Sequence, residues 1–314
     1  MELILIDFID DLRTDDCDVT VKLITLEAMK ADPEFYEGDG QFSKIRQWVY
    51  NFLKRHEYAI RQKTHVAQKR CDLAMCLDFV VSVNAVTTMY NIHPDFVVNM
   101  DQTPLYNDQR PSTTVCNKGQ KSVNGKQTRT GDYRCTVFLA VTLSGKKLPP
   151  LIVFKGQPGK TIQKSFTRQN GYPDDVICLC QAKAWCDTQV MHVWIEKVYK
   201  PWVSNNVNGF NHLLIDDYSA HRVGSVMASI KSLNSFLSVL PGGSTSQIQV
   251  LDVGVNKPFK DKFRDRWVQW MAFENRDNQL VISRQMLTVW VKNVWEDIQA
   301  ENITRTWTKI GFYQ

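Results

Sequence analysis

Apolar residues recur at helical spacing in the first part of the chain, separated by polar positions that face away from the stripe. Thr20 is suited to cap a second helix, and Ser43 is suited to cap a third. The pattern predicts three short helices before residue 56, followed by a basic linker and a fourth helix. The stripe of the first helix consists of Leu3, Ile6, Ile9 and Leu12.

From residue 96 the pattern changes to short apolar runs of the kind that form buried strands. Two runs, at residues 96–101 and 213–216, end in an aspartate, and a third aspartate opens the helical pattern of residues 252–270. Further helical patterns alternate with the runs, one of them after the capping residue Asp187. This part of the chain is therefore expected to contain both strands and helices. Most tryptophans fall in helical patterns and are expected in the core: Trp185, Trp194, Trp202, Trp267 and Trp270.

Charge, cysteine spacing and apolar run length show which kinds of partner, metal site and membrane segment the sequence permits. The net charge is +5, and the basic residues concentrate between residues 44 and 70, where Glu57 is the one acidic residue. A basic segment permits a nucleic-acid partner. The eight cysteines show no paired zinc spacing, and free thiols are expected. No apolar run is long enough for a membrane span, and the acidic N-terminus is unlike a signal peptide.

Three aspartates, Asp101, Asp216 and Asp252, are the candidate catalytic residues. Phosphodiester chemistry uses hard divalent cations, which carboxylate oxygens hold well. Two such ions about 4 Å apart can clamp the attacking and leaving oxygens of an in-line displacement. An aspartate at a strand end is also a common turn former, so the type of residue alone does not decide its role.

The segments around these aspartates resemble the motifs of pogo-type DDE transposases. Residues 99–105 (NMDQTPL) resemble the family's N-x-D-E-T-P, and residues 213–221 (LLIDDYSAH) resemble L-L-x-D-N-x-S-A-H. Residues 249–255 (QVLDVGV) resemble Q-P-L-D-Q-G-V, and 35 residues separate Asp216 from Asp252, as the family's acidic triad requires. The resemblance also includes residues 117–123 (NKGQKSV), 147–156 (KLPPLIVFKG) and 301–312.

The resemblance continues upstream and implies a domain organisation. Residues 48–56 (WVYNFLKRH) are similar to the end of a centromere-protein-B-type helix-turn-helix region, of which only the second unit is expected here. The implied fold is α/β, an RNase H-like mixed sheet flanked by helices and preceded by a small all-α helix-turn-helix subdomain. The expected divisions are a DNA-binding segment, a helical linker, the catalytic domain and a helical tail, at residues 1–66, 67–94, 95–275 and 276–314.

By the same resemblance, Asp101, Asp216 and Asp252 would be both catalytic residues and ligands of two Mg²⁺ or Mn²⁺ ions. The implied activity is metal-dependent DNA cleavage and strand transfer at transposon ends, in the nucleus. The implied partner is double-stranded DNA, on which a homodimer is considered, with no small-molecule substrate and no membrane. The expected phosphate contacts are Arg46, Lys54, Arg55, Arg61 and Lys63.

The sequence departs from the family pattern at several positions near the triad. Gln102 replaces a glutamate and Asp217 an asparagine, and Asp216 is expected to be the ligand by motif register. A structural or surface role is expected for His221. Two alternatives stay open: a domesticated or decayed DNA-binding protein without catalysis, and another RNase H-like nuclease that acts on RNA–DNA hybrids.

Overall fold

The computed structural model divides into two compact units, Met1–His65 and Val66–Gln314. It describes residues 1–14, 19–32, 41–60, 72–107, 134–206, 209–275 and 281–313. Within these ranges no helix has the length and apolar character needed to cross a membrane. The segment 117–123 and the expected phosphate contacts Arg61 and Lys63 lie outside the described residues.

The first unit contains three helices, α1 (Glu2–Thr14), α2 (Val21–Ala31) and α3 (Gln41–Arg55). Thr20 caps α2 as predicted, since its hydroxyl accepts a hydrogen bond from the Leu23 backbone N–H at 3.1 Å. The predicted cap of α3 is wrong, because that helix begins at Gln41 and Ser43 lies inside it. The helices share one small apolar core built from Leu5, Ile9, Ile24, Ala28, Ile45, Val49, Phe52 and Leu53.

The second unit is built on a six-stranded mixed sheet of order β4-β3-β2-β1-β5-β6. Neighbouring strands are antiparallel in β1–β2 and β2–β3 and parallel in β3–β4, β1–β5 and β5–β6. This arrangement confirms the predicted mixed sheet. The strands are β1 (Val97–Tyr106), β2 (Arg134–Thr142), β3 (Leu151–Lys155), β4 (Ile177–Gln181), β5 (Asn211–Ile215) and β6 (Ser235–Val239).

Helices cover both faces of the sheet. They are α4 (Leu73–Met89), α5 (Thr161–Lys164), α6 (Thr188–Trp194), α7 (Lys200–Val203), α8 (Gly224–Lys231), α9 (Thr245–Ile248), α10 (Asn256–Gln269), α11 (Arg284–Glu296) and α12 (Ala300–Ile310). Side-chain alternation along the strands assigns each residue to a face. Val97 and Leu105 of β1 pack with α4, α10, α11 and α12, whereas Val98 and Met100 pack with α6 and α8. Asp187 caps α6 as predicted, by accepting from the Val190 N–H at 2.9 Å.

Strand β1 is longer than the sequence pattern predicts, and Asp101 lies in its middle rather than at its end. The sequence pattern does not indicate that the strand continues past Asp101, because the next residues are the polar Gln102 and Thr103 and then Pro104, and proline is uncommon within a sheet. The pairing explains why it is tolerated here. β5 pairs with β1 only at residues 97–99, so beyond Asn99 one edge of β1 has no neighbouring strand among the described residues. Pro104 therefore lies where that edge needs no N–H donor.

The expected core tryptophans are confirmed with one exception. Trp194, Trp267 and Trp270 are buried, and Trp202 is half-buried. Trp185 is 51% exposed, because it lies in the turn between β4 and α6. The five cysteines in the described ranges are free thiols, as expected: Cys76, Cys135, Cys178, Cys180 and Cys186.

Candidate functional site

The parallel pairing of β1 with β5 brings Asp101 and Asp216 to the same level of the sheet. Asn99 is opposite Leu214, so two further residues along each strand lead to Asp101 and to Asp216, which directly follows β5. Leu214 packs in the apolar core on the face of the sheet that α10 covers. Asp216 lies two residues after Leu214, and Asp101 lies two residues after its partner Asn99. Alternation along the strands therefore places both carboxylates on the α10 side.

Asp252 reaches this region from a π-helical turn, Leu251–Val255, that leads directly into α10. Asn256, the first residue of α10, joins it to β1. The Nδ2 group of Asn256 donates to Asp101 Oδ2 at 2.7 Å and to Asp252 Oδ1 at 2.9 Å. One amide group thus connects the strand carboxylate to the helix carboxylate.

A pair of buried amide side chains fixes the turn that carries Asp252. Asn99 Nδ2 donates to Gln249 Oε1 at 2.6 Å and to the Leu214 carbonyl at 3.2 Å. Gln249 Nε2 donates to the Met100 carbonyl at 3.1 Å, and the Leu251 N–H donates to Asn99 Oδ1 at 3.3 Å. Both side chains are fully buried. Together they tie β1, β5 and the turn before Asp252 into one hydrogen-bonded unit.

His221 lies against Asp216 and is fully buried, so of the structural and surface roles expected for it the structure supports the structural one. Its Nδ1 is 2.8 Å from Asp216 Oδ1 and 3.1 Å from the Asp216 carbonyl oxygen. Its Nε2 is 2.6 Å from Nε2 of Gln102, which donates to it. With Nε2 accepting, Nδ1 carries the proton and donates to the backbone carbonyl of Asp216. The neighbouring Asp217 instead pairs with Arg222 Nε at 3.1 Å on the exposed side.

Acidic side chains crowd around Asp101. Burial is the main cause that raises the pKa of Asp101, to about 8, and the carboxylates of Asp252 and Asp216 raise it further. Lys260, one turn beyond Asn256 on α10, lies close enough for both Asp252 and Asp101 to stabilise its charge, although burial lowers its pKa. Exposure increases from buried Asp101 through half-buried Asp216 to exposed Asp252. The site is therefore open to solvent on the Asp252 side.

The chemistry of this donor set fits a divalent cation. The three carboxylates supply hard oxygen atoms, and Asn256 Oδ1 is a buried oxygen with no hydrogen-bond partner in the described ranges. Within those ranges, no three acidic, histidine or cysteine side chains lie as close together as the ligands of one ion. The Asn256 amide nitrogen accounts for part of this spacing, since it lies between Asp101 and Asp252.

The expected phosphate contacts that the structure describes are all on α3. Arg46 and Lys54 are exposed on its outer face, beside the exposed Tyr50, whose hydroxyl accepts from Arg46 at 3.4 Å. Arg55 forms an ion pair with Glu2 of α1, and its guanidinium lies over the Trp48 ring at 5.7 Å. Arg46 and Lys54 are therefore less engaged within the unit than Arg55.

Sequence reasoning missed two residues that complete the site, Asn256 and Lys260, and it expected only a structural or surface role for His221. Asn256 and Lys260 follow Asp252 at intervals of four, which places all three on one helical face. That spacing was an available signal for both. His221 is the last residue of the motif at 213–221, but its contact with Asp216 depends on the turn Ser219–Arg222 that follows β5, which no spacing in the sequence indicates.

A sequence model of the family described as DDE superfamily endonuclease matches residues 132–307, more than half of the chain. The match includes Asp216 and Asp252, and Asp101 lies before it. Among curated proteins, the mouse "Pogo transposable element with KRAB domain" is 25% identical over 301 residues, covering 93% of this chain and 48% of that protein. The chain thus spans about half the length of the curated relatives it matches.

Solved structures show a similar fold. The "Mos1 transposase paired-end complex with left transposon end" has a TM-score of 0.51 at 12% identity, covering 93% of this chain and 76% of that chain. The "Mos1 mariner paired end complex with Mn" has a TM-score of 0.50 at 13% identity, covering 91% and 74%. These matches confirm the predicted RNase H-like fold and the predicted resemblance to pogo and mariner transposases. The predicted centromere-protein-B-type region and the predicted domain divisions stay predictions.

Proposed function

Because this chain belongs to the DDE superfamily endonuclease family, we propose that it is a DNA-binding, transposase-type endonuclease that cuts DNA and transfers the cut strand. The observation that carries the proposal is the gathering of Asp101, Asp216 and Asp252 from β1, β5 and the start of α10. The proposed substrate is the DNA at transposon ends, and the proposed location is the nucleus.

The proposed cofactor is a pair of Mg²⁺ or Mn²⁺ ions held by the three aspartates. Bound ions would activate the attacking oxygen and stabilise the charge that develops on the phosphodiester. The chain's own residues would arrange this chemistry. Asp101 supplies a buried carboxylate and Asp252 an exposed one, and the Nδ1–H of His221 holds the backbone carbonyl of Asp216 while its ring packs against the Asp216 carboxylate. The Asn99–Gln249 pair holds the Asp252 turn against β1.

The proposed DNA contacts use the basic outer face of α3. Arg46 and Lys54 are exposed there, and neutral side chains that can read base edges lie between them. A helix with this composition suits the major groove, with its basic residues on phosphates. A homodimer on DNA is part of the proposal. It is supported by the paired-end complex of the Mos1 transposase, whose fold this chain resembles.

Cleavage of DNA in the presence and absence of Mg²⁺ or Mn²⁺ tests the proposal. The substrates are a supercoiled plasmid and a duplex made from DNA that flanks the coding region. We expect Asp216→Ala to reduce cleavage on the order of 10³-fold or more, because it removes a ligand from the reacting centre. The matched control is Asp217→Ala, which removes the neighbouring carboxylate that pairs with Arg222, and it should cleave nearly as well as the parent.

Three results would change the proposal. Equal cleavage by the parent and Asp216→Ala would contradict the triad mechanism. Salt-sensitive DNA binding without cleavage by the parent would favour a domesticated or decayed DNA-binding protein. Cleavage of RNA–DNA hybrids in preference to duplex DNA would favour a different RNase H-like nuclease.

A further inference from the structure

Asn256 contacts two of the three aspartates of the candidate site, Asp101 and Asp252. It is 6% exposed, and its Nδ2 group donates to Asp101 Oδ2 and Asp252 Oδ1. Both N–H groups of the amide are thereby used on carboxylates. Its Oδ1 is buried and accepts no hydrogen bond from the residues that the structure describes.

This half-satisfied amide is informative, because a buried acceptor without a donor destabilises a fold. If the side chain served only to join two carboxylates, a residue carrying donors alone would suffice. The carboxamide of asparagine carries its donor and its acceptor on opposite sides of the Cβ–Cγ axis, and half a turn about that bond exchanges them. Turning the carboxamide over would place Oδ1 where Nδ2 now lies, facing Asp101 and Asp252.

The distances around the Asn256 amide suit that exchange. In an octahedral Mg²⁺ site with ligands at about 2.0–2.1 Å, neighbouring oxygen atoms are about 2.9 Å apart. The Asn256 nitrogen is 2.7 Å from one carboxylate oxygen and 2.9 Å from the other. An oxygen in its place would therefore have the spacing of a third ligand on the same ion.

We propose that Asn256 is a fourth member of the cation-binding group, a neutral oxygen ligand beside Asp101 and Asp252. This inference rests on the function proposed above. In the arrangement seen here, the amide nitrogen separates the two carboxylates by donating to both. With a divalent cation bound, the carboxamide turns over and contributes its oxygen. The exposed side of Asp252 gives the cation its route to this position.

Two substitutions separate this role from a purely structural one. Asn256→Leu removes both the donor and the acceptor with little change in size, whereas Asn256→Asp removes the donor and keeps an oxygen. If Asn256 acts as a ligand, Asn256→Leu weakens Mn²⁺ affinity about 10-fold or more, while Asn256→Asp binds Mn²⁺ at least as tightly as the parent. If Asn256 only joins the two carboxylates, both variants lose affinity to the same extent.

The measurement is titration of the full chain with Mn²⁺ alone, by calorimetry and by electron paramagnetic resonance of the free ion. Thermal unfolding with EDTA and with Mg²⁺ provides a second readout. Asn256→Asp should unfold at a lower temperature than the parent in EDTA, because three carboxylates then face each other, and Mg²⁺ should raise its unfolding temperature more than the parent's. The matched control is Asn302→Leu, the same change at an exposed position of α12.

The outcomes distinguish this inference from the proposed function. Mn²⁺ binding that Asp252→Ala abolishes and Asn256→Leu leaves unchanged would overturn the ligand role alone. Equal weakening in Asn256→Leu and Asn256→Asp would also overturn it and leave a structural role. A parent chain that binds no Mn²⁺, with or without DNA, would overturn the proposed function, and the ligand role would fail with it.

Discussion

The two units of this protein use their polar residues in opposite ways. In Met1–His65 the basic residues are on the exposed face of α3, and the opposite face of that helix packs into a small apolar core. In Val66–Gln314 the polar residues of the site lie inside, where Asn99, Gln249 and His221 are fully buried and hydrogen-bonded. One unit presents charge, and the other holds carboxylates in a fixed geometry.

The difference has a physical consequence for sensitivity to substitution. Surface charges act additively on a polyanion, and each contributes a modest part of the affinity. A buried hydrogen-bonded network acts as a unit, because removing one member leaves its partners without bonds in a region of low polarity. Single substitutions should therefore disturb the second unit far more than the first.

Among substitutions outside the three aspartates, the largest expected effect is that of Gln249→Leu. The substitution leaves the Met100 carbonyl without its donor and releases the turn that carries Asp252. We expect stability to fall by about 1–3 kcal/mol. Cleavage should fall about 100-fold, because a shift of about 1 Å at a reacting group has that effect. Urea unfolding and the cleavage assay check both values.

Gln269→Leu is the control for this substitution, since Gln269 is exposed at the end of α10. It should change neither stability nor cleavage appreciably. DNA affinity should be the same in both variants, since α3 is untouched. If Gln249→Leu left cleavage unchanged while lowering stability, the network would be structural and would not position Asp252.

The next effect concerns His212, which is fully buried on β5 between Thr87 and Ser238. Burial lowers the pKa of His212 to about 4, so the folded protein holds it neutral. The unfolded chain takes up the proton near pH 6.5. Stability from this residue is therefore complete above about pH 6.5 and is lost as the pH falls towards 4. The loss approaches about 3 kcal/mol.

Urea unfolding at pH 7 and pH 4.5 measures this dependence. His212→Gln, which carries no titratable group, should lose less stability than the parent between the two pH values. The difference between the two proteins isolates this residue from the other groups that titrate. A parallel decline in both would show that His212 makes no contribution.

The smallest effect is expected on the surface of the first unit. Lys54→Ala should weaken duplex DNA binding by a factor of about 3 to 10. It should also reduce the slope of log affinity against log salt by about 0.9, because one phosphate contact is lost. Lys22→Ala, at an exposed position of α2, is the matched control and should bind like the parent. Fluorescence anisotropy over a range of salt concentrations measures both quantities.

The sequence was sufficient for those features that depend on local pattern. Apolar runs identified the central strands, and Thr20 and Asp187 marked two helix starts. Pattern failed where a distant contact decides the structure. The extension of β1 past Asp101 depends on pairing with β2, since Asp101 lies opposite Leu139, and the local composition of Gln102 to Pro104 argued against a strand. Ser43 failed as a cap because α3 begins earlier than the apolar stripe indicates.

The candidate site shows the same division. Asp101, Asp216 and Asp252 could be chosen by motif, since each motif is a short stretch of sequence. The contacts between their supporting residues could not, because His221 and Gln102 meet across 119 positions of sequence and Asn99 and Gln249 across 150. Such pairs follow from the order of the strands in the sheet, which no local window of the chain records.

The most direct test of the central claim is the anomalous scattering of Mn²⁺ in crystals of the full chain bound to duplex DNA. If the three aspartates hold the metal ions, we expect a manganese peak in contact with the carboxylates of Asp101 and Asp216, at about 2.2 Å, and none at that position in Asp216→Ala. Manganese bound away from all three aspartates, or bound identically in the parent and in Asp216→Ala, would contradict it.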